Sequence, residues 1–162
     1  MAWTDSRIFR AWVNNPMLKQ GTAPTGYTSI DADTIKAALF NNSVTPDRDA
    51  AVGSTGYNTG TWTTGNEVTD ATNWVAGGRA LAGDAVTTSA GGINMYDATD
   101  LAGGGTLTLA ATHGCLVYDD TITAGTVADQ GICFNYFGGA QQVTSGTFTI
   151  VWNANGVFRF TV

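Results

Sequence analysis

The sequence predicts an all-β fold, a single-domain antiparallel β-sandwich or jelly-roll-like barrel, and three observations carry the prediction. Glycine (21 residues) and threonine are abundant while lysine and glutamate are nearly absent, so strand and turn formers dominate over helix formers. Roughly seven or eight short apolar runs are punctuated by glycine-rich turns, the pattern of a sandwich or barrel. The chain closes on "TFTIVWNANGVFRFTV" (Thr147–Val162), where Asn-Gly between two alternating runs is a strong hairpin signal. With 162 residues and no internal repeat, one domain is expected.

The elements follow in order. "TDSRIFRAWVNNP" carries Ile8, Phe9, Trp12 and Val13, two arginines and a stop at Pro16. Thr4 or Asp5 is placed to cap a short helix there. A turn-rich connector, "KQGTAPTGYTS", follows, so residues 1–29 read as an N-terminal arm or short helix plus connector, and residues 30–162 as the β-domain. Ile35–Phe40 alternates as a strand, and "TPDRD" supplies a turn. "GSTGYNTGTWTTGNEVTD" is a long loop anchored by Tyr57 and Trp62. "RALAGDAVTTS" and "GGINMYDAT" are two strands, "GTLTLAATHGCLVYDDTIT" one or two more, and "QGICFNYFGGAQQVTSG" another.

For the final hairpin, a two-residue turn scatters the apolar residues over both faces. A three-residue loop of Ala154, Asn155 and a left-handed Gly156 instead pairs Trp152 with Phe158, Ile150 with Phe160 and Phe148 with Val162. One face then becomes wholly apolar, and burial selects that register. The predicted core comprises Ile35, Leu39, Leu116, Phe134, Phe148, Ile150, Trp152, Phe158 and Phe160, and truncating Trp152 to alanine is expected to cost roughly 3–5 kcal/mol.

Charged residues make up 12% of the chain, about half the usual share of about 25%. A net charge of −6 and a pI near 4.3 argue against nucleic-acid binding through phosphate neutralisation. No apolar run approaches the roughly 20 residues of a membrane span, and the N-terminus lacks a signal-peptide apolar region, so neither a membrane nor a nucleic-acid partner is expected. No GxSxG, Walker or HExxH motif is present, and no enzymatic activity, metal or cofactor is expected. His113 and Cys115 alone cannot complete a zinc site. Cys115 and Cys133 read as buried free thiols, with a cross-strand disulfide as the alternative. "YDDT" reads as a turn in which aspartates accept local backbone amides. Tyr57, Trp62 and Trp74 read as loop anchors, with sugar stacking as the alternative.

"MAWTDSRIFRAW", "DADTIKAALFNNSVTPDRDA", "GCLVYDDT", "GICFNYFGG" and "SGTFTIVWNANGVFRFTV" resemble a family of small β-rich virion structural proteins of tailed bacteriophages. The resemblance spans nearly the whole chain and is loosest from Val86 to Leu109. It implies a structural protein without catalytic residues. A small, acidic, all-β chain with a terminal arm and no repetitive stalk leans towards the head. The expectation is a capsid decoration (cement) protein, made in the host cytoplasm and bound outside the major capsid protein shell on the virion, and homo-oligomeric, with a trimer the expected assembly. A small tail or neck accessory protein and a glycan-binding adhesion module are the alternatives. The arm is too apolar for a free tail: the alternatives are an element packed on its own domain and an arm docked on another subunit, and the expectation is burial mainly by other subunits. Its candidate subunit-contact residues are Trp3, Arg7, Ile8, Phe9, Arg10, Trp12 and Val13.

Overall fold

The computed structural model describes residues 3–17, 23–89 and 91–161. The strands are β1 (Arg7–Ile8), β2 (Ile35–Phe40), β3 (Arg79–Ala80), β4 (Ala85–Ser89), β5 (Ile93–Asp97), β6 (Leu101–Ala102), β7 (Leu107–Asp119), β8 (Gln130–Gly146), β9 (Thr149–Ile150) and β10 (Phe158–Thr161). Every pairing between them is antiparallel. A five-stranded sheet in the order β1-β8-β7-β2-β3 packs with a three-stranded sheet, β10-β5-β4, and a two-stranded one, β6-β9. One continuous hydrophobic core joins them, and the fold is an all-β sandwich.

The five-stranded sheet is built on β7 and β8, longer than the short strands the glycine punctuation predicts. β2 lies between β7 and β3. Its residues are buried on both faces rather than in alternation, because both sides of the sheet are covered there. Lys36 is its partial exception, and its ammonium reaches Asp120 at 2.7 Å. The long loop is anchored as its aromatics predict. Trp62 is buried, and Tyr57 stacks on Tyr118 with ring centroids 5.1 Å apart.

The closing turn forms but the hairpin does not. Gly156 has φ +78°, and its N–H donates to Asn153 O at 2.7 Å. A Cβ at that position would collide with Tyr96 O, so glycine is required there twice over. The two arms then part: β9 pairs with β6, and β10 with β5. Asp100 Oδ1 accepts the Trp152 N–H at 3.0 Å, and Thr99 O accepts its indole N–H at 3.2 Å, which holds the first arm away from the second. The predicted pairings Trp152–Phe158 and Ile150–Phe160 therefore do not occur, and Val162 lies outside the described residues. Of the predicted core, Ile35, Leu39, Leu116, Phe134 and Ile150 are buried. Phe148, Trp152, Phe158 and Phe160 are only half-buried, because no single apolar face unites the two arms.

The N-terminal segment also corrects its expectation. Residues 3–17 are part of the domain's own core, not an arm awaiting another subunit. Trp3 and Phe9 are 0% exposed and Trp12 1%. β1 is the edge strand of the large sheet, with Arg7 opposite Phe134 and Ile8 opposite Cys133. The Trp3 indole donates to Asn41 O at 2.9 Å, and Phe9 N–H donates to Ile132 O at 2.9 Å. The sheet holds seats for these rings. A Cβ on Gly114 would enter the Trp3 ring, and one on Gly131 would press on Phe9 Cε2, so bare backbone on β7 and β8 lets both aromatics approach. The predicted helix shrinks to α1 (Arg10–Trp12), which starts at Phe9 without a side-chain cap and runs into one wide turn, Val13–Met17, that includes Pro16. Asp5 instead pairs with Arg7 at 2.9 Å. Residues 18–22 of the connector lie outside the described residues.

Candidate functional site

Arginine gathers at one edge of the large sheet. Of the expected subunit-contact residues, Arg7 and Arg10 are exposed and Ile8 and Val13 half-buried, whereas Trp3, Phe9 and Trp12 are enclosed by their own chain and present no surface to a partner. Tertiary structure adds Arg48 and Arg159, which line a groove of about 390 Å³ together with Arg7, Ile8 and Phe158. Arg10 joins them through its backbone, donating its N–H to Arg48 O at 2.9 Å. Thus four of the chain's seven basic residues meet on one face of a molecule carrying a net charge of −6.

The carboxylates paired with this patch are few and exposed. Asp5 pairs with Arg7, while Asp49 takes Arg10 at 2.7 Å and Arg48 at 3.5 Å. Arg159 donates to the neutral Asn155 Oδ1 at 2.7 Å. Exposed ion pairs contribute about 0–1 kcal/mol each, so these guanidinia can exchange partners at little cost. Their planar five-donor geometry suits bidentate capture of carboxylates. Neither Arg48 nor Arg159 is adjacent in sequence to β1. The one sequence signal for them is the rarity of basic residues, which makes any cluster of four conspicuous once folded.

The two thiols and the loop aromatics are taken up by the fold itself. Cys115 and Cys133 are buried and unbridged. They face Asn135 and Val117 across the β7–β8 ladder rather than each other, and burial pushes the Cys115 thiol up to about 12. Trp74 is buried and Tyr57 engaged, its hydroxyl donating to Glu67 at 2.7 Å, so the loop aromatics serve as anchors. Among the described residues no group of three or more His, Cys, Asp or Glu side chains is placed to hold a metal ion, and no helix is long and apolar enough to cross a membrane.

Asp119, in "YDDT", makes the expected turn: its Oδ1 accepts the Thr121 N–H at 2.9 Å. Its Oδ2 is buried with no donor. Burial, reinforced by the negative charge of Asp33, pushes the carboxyl up to about 7 from an ordinary 3.8, against the pull of the Thr121 and Ile122 amides. A folded-state pKa above the unfolded value means that the folded form binds the proton more tightly. Stability from this group is therefore complete below about pH 4 and is lost as pH rises through about 7. Asp119→Asn keeps the accepting oxygen and removes the titration. Urea denaturation is expected to show the variant gaining about 1–3 kcal/mol over wild type at pH 8 and little at pH 4. An equal difference at both pH values would refute the assignment.

No family model, curated protein or solved structure matches the chain.

Proposed function

We propose that the chain is a bacteriophage virion structural protein, a capsid decoration protein that docks on the outside of the major capsid protein shell through its arginine-lined sheet edge. The observation that carries the reading is the gathering of Arg7, Arg10, Arg48 and Arg159 on one face of an otherwise acidic molecule. Arginine is enriched at protein interfaces, and opposite potentials steer encounter and fix orientation. The carboxylates of the shell, or of a neighbouring copy, are the complementary chemistry. The rest of the acidic exterior limits contact to this face. The small β-rich chain and its resemblance to phage virion proteins support the same reading, with the copies held as a homo-oligomer, expected to be a trimer.

The test is occupancy of purified particles. A decoration protein is present in hundreds of copies on the head, and a tail or neck component in one or two rings' worth, which would refute the head assignment. The double variant Arg7→Glu, Arg159→Glu is expected to melt like wild type, since both side chains are exposed, yet to fail to bind heads lacking the protein. Undiminished binding would remove the arginine edge from the interface.

A further inference from the structure

We infer that the cleft between β8 and the chain's C-terminal segment is a binding site for an uncharged oligosaccharide. The cleft is an open groove of about 760 Å³, within the range of about 300–1,000 Å³ typical of small-molecule sites. None of its fourteen lining residues is charged, although the chain as a whole carries −6. Charge begins only beyond its rim, where Ser6, Asn135 and Val157 also border the arginine groove. A neutral polyol would find what it needs.

The lining chemistry is of two kinds. Asn135, Gln141 and Asn153 contribute amides, groups that both donate and accept and so match hydroxyls. The Asn153 Oδ1 already accepts from the Asn155 N–H and Nδ2, which leaves its Nδ2 to donate, and the Asn135 Nδ2 lies 3.8 Å from Cys133 Sγ, which leaves its oxygen to accept. Tyr136, Phe148 and Trp152 contribute aromatic surface, suited to the C–H face of a pyranose ring. These aromatics are half-buried and fixed from behind. Tyr136 stacks on Trp3, with ring centroids 6.4 Å apart, and Phe148 meets Trp74 edge-on at 5.6 Å. Trp152 is held by its bonds to Thr99 and Asp100. A site whose side chains are already ordered loses little entropy on binding.

The β7–β8 ladder shifts register at four points, and the widest of these bulges lies at this cleft. Tyr136 pairs with Gly114 and Gln141 with Thr112, so residues 137–140 of β8 lie opposite the single residue His113. Gly138, at φ +78°, bends this bulge, and a Cβ there would meet nothing within 4 Å; backbone path, not lack of space, calls for glycine. In a regular strand Tyr136 and Phe137 would point to opposite faces, yet the bulge brings both, with Gln141, to the same cleft. Bulges that re-aim side chains are characteristic of functional sites.

The full chain, labelled with ¹⁵N, would be titrated with maltotriose, cellotriose, triacetylchitotriose and sialyllactose, and also applied to a printed array of neutral glycans. Saturable shifts at the Trp152 indole and the Asn135, Gln141 and Asn153 amides with a neutral sugar are expected. Trp152→Ala is expected to weaken that binding by about tenfold or more. Gln141 is exposed, so Gln141→Ala provides a variant that preserves the fold and is expected to weaken binding as well. Neutral-sugar binding that is unchanged in both variants, or that maps elsewhere, would overturn the assignment. So would the absence of any neutral glycan bound at millimolar concentration, or binding of sialyllactose alone with loss in Arg159→Glu.

Discussion

Removing residues 2–17 is expected to unfold the domain. The segment contributes Trp3, Phe9 and Trp12 to the core. Truncating one such aromatic to alanine typically costs about 3–5 kcal/mol. The three together approach the whole stability of a typical domain, about 5–15 kcal/mol, even allowing that neighbours in one cluster do not add simply. The deletion also strips β1 from β8 and leaves the seats at Gly114 and Gly131 vacant. Loss of the cooperative thermal transition and of near-ultraviolet dichroism is the expected result. A truncated chain that melts cooperatively near the wild-type temperature would show instead that the segment is a detachable arm.

Trp62→Ala is the single substitution expected to do most damage. Its ring is surrounded by Trp3, Phe9, Phe40 and Phe134, at centroid distances of 5.7, 6.0, 5.1 and 6.1 Å. The loop that bears it is also organised by it: Trp62 N–H donates to Thr59 O, and its carbonyl accepts the Asn58 N–H, both at 2.9 Å. A cavity at the junction of loop, sheet and N-terminal segment should cost about 3–5 kcal/mol. The melting temperature should fall by roughly 6–20 °C. A fall of only a degree or two would mean that the aromatic cluster closes around the gap. Trp152→Ala should lose less, roughly 1–2 kcal/mol, because Trp152 lies outside the fully buried core and its ring is partly open to solvent.

Much of this protein was legible in the order of its residues. Local rules were enough wherever neighbours in sequence settle the outcome. The scarcity of helix formers is matched by an all-β sandwich. The Asx turn at Asp119 and the left-handed Gly156 lie where short-range geometry requires them. The loop aromatics Tyr57 and Trp62 became anchors because surface of that size is rarely left in water. Arg7 and Arg10, read from the sequence as surface groups of the N-terminal segment, are exposed.

What the tertiary structure decided is which partner each segment took. Alternation shows that an arm of the C-terminal turn has an apolar side, but not what covers it. β6 and β5 won over the neighbouring arm because strand pairing is chosen over the whole chain, and Trp152 had its own bonds at Thr99 and Asp100. The apolar load of the N-terminus showed that it must be buried, without saying in which molecule; Gly114 and Gly131, more than one hundred residues away, supplied the answer by leaving room for Trp3 and Phe9. Arg48 and Arg159 reached Arg7, and Trp152 the same cleft as Asn135, only after the sheet had closed. Hydrophobic periodicity encodes a face, whereas a site is a meeting of distant faces, and that meeting is set by packing.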